Sequence, residues 1–183
     1  VVVVGGRLPA EMVDDPVFHH FWDRVRDLGI PVYWFVNSAA PGRDAYMAEL
    51  AAFGRWVLRY PDVPAMFTHG LPLSRFMEAD GTIAIPQEAW RVLDAPSVMV
   101  ELVIPIAHGA MWEYPYAEAR PVIREYYERL GPDRLAWGSD MPNVERHCTY
   151  RQSLDYLTRY CDFIPPDHMT MICGDNVARL FGA

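Results

Sequence analysis

The side chains able to do chemistry in this sequence sit where apolar runs stop. Leu135-Ala136-Trp137-Gly138-Ser139-Asp140-Met141-Pro142 is an apolar stretch ending in Gly-Ser-Asp and halted by Met-Pro, since proline cannot continue a strand ladder. It reads as a short buried strand that delivers the Asp140 carboxylate to its C-terminal rim, where the group can ligate a metal or move a proton. The same aspartate would serve equally as a cap for the next turn or helix. A second run, residues 63–69, ends in Thr68-His69-Gly70 and brings an imidazole to a strand end. Its other reading is a histidine hydrogen-bonded in the mouth of the fold. Glu101 lies inside the apolar run 97–105, where an ionised carboxylate is costly unless paired. Pointing inward, it could steer a histidine or bind substrate; pointing outward, it is a salt-bridged contact with a helix. Arg146, in the polar segment after Asp140, could take a substrate carboxylate in a bidentate grip or pair with Glu145 or Asp140. His108, beside the aromatic segment 111–116, is a further candidate substrate contact, in a segment suited to closing over a flat organic molecule or packing on a neighbouring subunit.

These groups need strands and helices in alternation to hold them. Residues 1–4, 32–37, 65–69, 98–104 and 135–140 are β-branched or aromatic runs ended by glycine, proline or a polar residue, as buried parallel strands are. Between them, helical spacing runs from Val17 to Leu28 with Gly29 as the stop, over 43–60 with Leu50, Phe53, Trp56, Val57 and Tyr60 inward, over 71–79, over 86–93 and over 121–130. Residues 150–160 and 166–172 close the chain as helices. Strand and helix in turn is the parallel α/β pattern, and in its barrel form the reacting groups lie at the C-terminal ends of the strands.

Arg134-Leu-Ala-Trp-Gly-Ser-Asp140-Met-Pro142, followed by Gly174-Asp-Asn176-Val-Ala178-Arg179-Leu180-Phe181, resembles the last strand and closing helix of the amidohydrolase-related family. That family includes aminocarboxymuconate-semialdehyde decarboxylase and the hydroxybenzoate decarboxylases. The resemblance covers essentially the whole chain as the fourth to eighth strands. It implies the C-terminal portion, about five β/α units, of a TIM-like (β/α)8 barrel, read as one incomplete domain over 1–183 that lacks the N-terminal strands. It also implies a hydrolase or non-oxidative decarboxylase for a small carboxylated organic substrate. The implied cofactor is a divalent metal, zinc or manganese, held by a first-strand His-x-His pair, a fifth-strand histidine and the last-strand aspartate. Carried over by position, Asp140 is the metal ligand and proton-transfer group, and His69 the electrophilic or acid/base partner. The motif is not complete. Phe35 stands where the family has its fifth-strand histidine, Asn37 two residues on offers only an amide oxygen, and no His-x-His occurs in the chain. A metal-free acid/base enzyme of the same fold, and a non-catalytic half-barrel completed by another chain, are the alternatives.

Composition narrows the field. At 183 residues the chain is shorter than the ~200–250 residues of a complete barrel, so completion by a missing N-terminal segment or by a homo-oligomeric partner is expected. A formal charge of -8 argues against nucleic acid and against a polybasic membrane patch. No apolar run reaches the ~20 residues that span a bilayer. The three cysteines lack CxxC spacing, which suits reduced, packed thiols and a cytoplasmic setting.

Overall fold

The computed structural model describes residues 2–4, 13, 15–36, 42–104 and 113–182, with residues 2–4 described by their backbone alone. The chain divides into two compact units, Val1–Thr68 with Ile85–Met99, and His69–Ala84 with Val100–Ala183.

In the first unit, β1 (Val2–Val4), β2 (Val32–Trp34) and β3 (Ala65–Phe67) lie side by side and parallel, with Val2 opposite Val32 and Val32 opposite Ala65. Helix α1 (His19–Asp27) follows β1, and α2 (Gly42–Arg59) follows β2. The apolar positions of α2 fall on one side, so that Leu50, Phe53, Trp56 and Val57 are buried as the spacing requires. Trp22 of α1, Trp34 of β2, Phe53 and Trp56 of α2 and Phe67 of β3 form one aromatic core, with Trp34 5.0 Å from Trp56 and Phe53 5.6 Å from Phe67 between ring centroids. Removing such a ring costs about 3–5 kcal/mol, so this cluster is what packs α1 and α2 onto β2 and β3. Helix α3 (Gln87–Leu93) comes close to α2, where a Cβ on Gly54 would meet Val92 at 3.0 Å. The apolar stripe of α1 is narrower than its sequence spacing implies. A 3-10 turn, Pro16–Phe18, precedes α1 and puts Val17 out of phase with it, and Leu28 caps its far end, so both are exposed while Trp22 and Val25 are buried.

Strand β4 (Val98–Leu102) begins in the first unit and ends in the second, where it pairs parallel with β5 (Leu135–Trp137), Glu101 opposite Ala136 and Leu102 opposite Trp137. Helix α4 (Arg120–Leu130) packs with Val122, Ile123, Tyr126 and Leu130 buried, and stops at Gly131, whose φ of 77° suits only glycine. A capping box of Thr149 and Gln152 opens α5 (Tyr150–Thr158). From α5, the buried Tyr156 hydroxyl donates to Leu102 O at 3.0 Å and accepts from Ile104 N–H at 3.5 Å. The chain closes with α6 (Pro166–Thr170), a π-helical turn over Met171–Asp175, and α7 (Asn176–Leu180). Cys148 and Cys161 are buried free thiols.

One expected helix is absent. Residues 71–79 form only the 3-10 turn Leu73–Arg75 and then a hairpin, with Met77 bridging Ile83 and Glu78 N–H donating to Thr82 O at 2.8 Å. Pro72 takes an extended backbone, with ψ 94°, so the chain enters only the short 3-10 turn, and Asp80 turns the end of the segment by accepting from Thr82 N–H at 3.0 Å and from the Thr82 hydroxyl at 2.7 Å. No helix among the described residues is long and apolar enough to cross a membrane.

Candidate active site

The two candidate catalytic side chains, His69 and Asp140, leave their strands through unusual backbone turns. β5 ends at Trp137, and the chain reaches Asp140 with φ 48°, in the left-handed region that costs a non-glycine residue about 1–2 kcal/mol. Ser139 Oγ accepts from Met141 N–H at 3.4 Å, Asp140 O accepts from Val144 N–H at 3.2 Å, and Asp140 Oδ1 accepts from the Asn143 amide at 3.4 Å. The carboxylate is therefore tied at its base through Oδ1, and among the described residues Oδ2 has no hydrogen-bond partner. His69 has φ 67° and Gly70 follows it at φ 67°. Two buried or half-buried partners hold this turn: Glu101 Oε2 accepts from His69 N–H at 3.1 Å, and the Tyr126 hydroxyl accepts from Leu71 N–H at 2.9 Å. Left-handed conformations at non-glycine residues gather at functional sites, and here both candidate catalytic residues have them.

The turns bring His69 Nε2 to 3.5 Å from Asp140 Oδ1, with about a quarter of each side chain exposed, 24% and 23%. An imidazole and a carboxylate at that distance, open on one side, can pass a proton to or from a bound molecule. Glu101 completes the group. It leaves the apolar strand β4 between the buried Val100 and Leu102, and burial raises its carboxyl above the ordinary carboxylate range, the Asp140 charge adding to this and the His69 N–H and imidazole opposing it. Its carboxyl rests on the backbone of Gly138, where a Cβ would lie 2.7 Å from Glu101 Cγ and nearer still to the carboxyl atoms.

Of the residues expected at the site, the second unit thus gathers His69, Asp140 and Glu101, with Glu101 bonded to the His69 backbone. Arg146 is exposed in the 3-10 turn Asn143–Arg146 and lines a surface cleft with His147, Tyr150 and Gln152. Among the described residues no ion pair joins it to Glu145 or Asp140. Asn37 and His108 lie outside the described residues. Phe35 is half-buried, directly after β2 in the first unit. Two contributors went unread in the sequence. Tyr126 looks like any core position of an amphipathic helix, and nothing local marks its hydroxyl. Gly138 did carry a signal, since a glycine at a strand end often marks the close approach of another group.

Asp140 and His69 both have lone pairs to offer a metal, but zinc sites take about three protein ligands. Among the described residues no three His, Cys, Asp or Glu side chains converge in that way. The described groups alone do not fit a metal ion.

Three solved structures show what this architecture resembles. A TIM-barrel protein from Bordetella bronchiseptica superposes with a TM-score of 0.64 at 20% identity, over 93% of this chain and 52% of its own. A probable 2-pyrone-4,6-dicarboxylic acid hydrolase from Acinetobacter baumannii, with citric acid bound, gives 0.69 at 19% identity, over 100% of this chain and 63% of its own. A dihydroxybenzoic acid decarboxylase from a Polaromonas species, with manganese and the inhibitor 2-nitroresorcinol, gives 0.59 at 14% identity, over 92% of this chain and 55% of its own. The chain therefore spans between about half and just under two thirds of these proteins, and its fold is that of part of a (β/α) barrel. No curated protein matches it. The amidohydrolase family model matches residues 1–183, the strand end at Asp140 included, and the chain belongs to the amidohydrolase family.

Proposed function

We propose that this chain carries the acid/base part of the active site of an amidohydrolase-like enzyme acting on a small carboxylated organic substrate, by hydrolysis or by non-oxidative decarboxylation. The observation that carries the reading is the His69–Asp140 pair, 3.5 Å apart and open on one side. In hydrolysis, Asp140 takes the proton of the attacking water and His69 donates one to the leaving oxygen. In decarboxylation, protonated Asp140 delivers its proton to the carbon losing carbon dioxide, and His69 hydrogen-bonds the substrate oxygen on which charge gathers. The citrate-bound hydrolase and the inhibitor-bound decarboxylase support the substrate class, since both names describe carboxylated compounds. Arg146, Asn37 and His108 remain the proposed substrate contacts.

A divalent ion, zinc or manganese, would act as an electrophile in such a site. Asp140 would be one ligand, and the others would come from outside the described residues. The metal-free form of the same chemistry is the second reading, favoured by Phe35 at the position where the resemblance puts a ligand histidine.

The test is a panel of carboxylated lactones and hydroxybenzoates offered to the purified protein, before and after chelation, with product formation measured for wild type and His69→Ala. Turnover of at least one panel member, lowered about 100-fold or more in the variant, is the expected result. Turnover at the wild-type rate in His69→Ala refutes the assignment. Activity that survives chelation selects the metal-free reading.

A further inference from the structure

We propose that Glu101 is the positioning residue of this site: it clamps the His69 turn to the end of β5, one carboxylate oxygen accepting the His69 amide while the carboxyl lies on Gly138, and so sets the imidazole against Asp140. The proposal rests on the acid/base reading of His69 and Asp140. Packing alone does not account for Glu101, because its strand neighbours Val100 and Leu102 are buried and apolar, and a valine or leucine at 101 would be buried without the cost of desolvating a carboxylate. The geometry joins three pieces of backbone. Glu101 belongs to β4, its Oε2 lies 3.1 Å from His69 N, and the room for its carboxyl exists because Gly138, two residues before Asp140, has no side chain. The amide it holds belongs to a residue at φ 67°, a conformation that persists only where its surroundings enforce it. With the acceptor gone, the turn is free to relax and His69 Nε2 to leave its place 3.5 Å from Asp140 Oδ1. A shift of about 1 Å in a catalytic group costs about 100-fold in rate.

The experiment combines steady-state kinetics on the best substrate of the panel with hydrogen exchange of the His69 amide in 15N-labelled protein. Glu101→Ala is expected to lower kcat by about 10- to 100-fold with KM within about twofold, and to speed exchange at His69. Glu101→Gln keeps an acceptor oxygen and should recover most of the lost kcat and the slow exchange. A merely space-filling side chain would not show that split between the two variants. A Glu101→Ala enzyme with wild-type kcat and raised KM overturns the proposal, because Glu101 would then bind substrate; so does unchanged exchange at His69. If Glu101→Ala fails to fold, Gly138→Ala displaces the carboxyl while leaving Glu101 in the chain, and wild-type kcat in that variant overturns the proposal equally. His69→Ala separates the two levels. Full activity there removes the acid/base reading, whereas an inactive His69→Ala beside a fully active Glu101→Ala removes the positioning role alone.

Discussion

Asn176 should be a stability residue with no part in turnover, although it belongs to the same sequence motif pair as Asp140. Its side chain is buried, and its amide nitrogen donates to Pro132 O at 2.7 Å and to Leu135 O at 2.8 Å, tying α7 to the start of β5. Asp140 lies beyond the opposite end of that strand. In barrels of this kind the entry face of the strands serves stability and the exit face chemistry. Asn176→Ala removes two hydrogen bonds, each with a net value of about 0.5–1.5 kcal/mol, and leaves the buried Leu135 carbonyl without this donor, which adds about 1 kcal/mol or more. The sum is about 2–4 kcal/mol, or about 4–16 °C in Tm for a chain of this size. Differential scanning calorimetry and urea unfolding measure the loss, and kcat is taken well below the transition, where the variant is folded. A large loss of stability with kcat close to wild type is the expected result. Stability within about 0.5 kcal/mol of wild type refutes the ledger, and a kcat loss in a fully folded variant refutes the separation of the two faces.

Two further outcomes follow from the latches around His69. Tyr126→Phe leaves Leu71 N–H without its acceptor in a buried place and should destabilise by about 1–3 kcal/mol, read from urea unfolding midpoints at constant slope. Glu101 binds its proton more tightly folded than unfolded, because burial raises its carboxyl. Its stabilising contribution is therefore complete below the ordinary value of 4.5 and is lost as the pH climbs through the raised folded value. Glu101→Gln, which does not titrate, should accordingly gain stability relative to wild type across that rise; a difference that stays flat with pH contradicts the cause assigned to the shift.

The parts of this molecule that the sequence disclosed are those in which a residue type has one physical outcome. A short apolar run closed by glycine and then stopped by proline reads as a buried strand, so β5 and its rim aspartate could be read directly, and the spacing of Leu50, Phe53, Trp56 and Val57 admits little except a buried helix face. Glu101 announced itself as a charge in an apolar run, but not its direction, since both faces of a buried strand are apolar and the period of two then selects neither. The left-handed turns at His69 and Asp140 could not be read, because neither residue is a glycine and the partners that enforce them, Glu101 and Asn143, come from elsewhere in the chain or act through the fold. At 71–79 the helical formers Met77, Glu78 and Ala79 gave the wrong answer; Pro72 and the Asp80 turn outweighed them. Asn176 stood in a motif from the start, yet its acceptors are backbone carbonyls, which a sequence does not display.

If Asp140 moves the proton in turnover, kcat for Asp140→Asn on the best substrate of the panel, measured at matched thermal stability, shows it. Asparagine keeps the shape and the Asn143 side of the site but can neither accept nor deliver that proton. kcat is expected to fall by about 100-fold or more with the fold intact. A folded Asp140→Asn enzyme that turns over at the wild-type rate would contradict it.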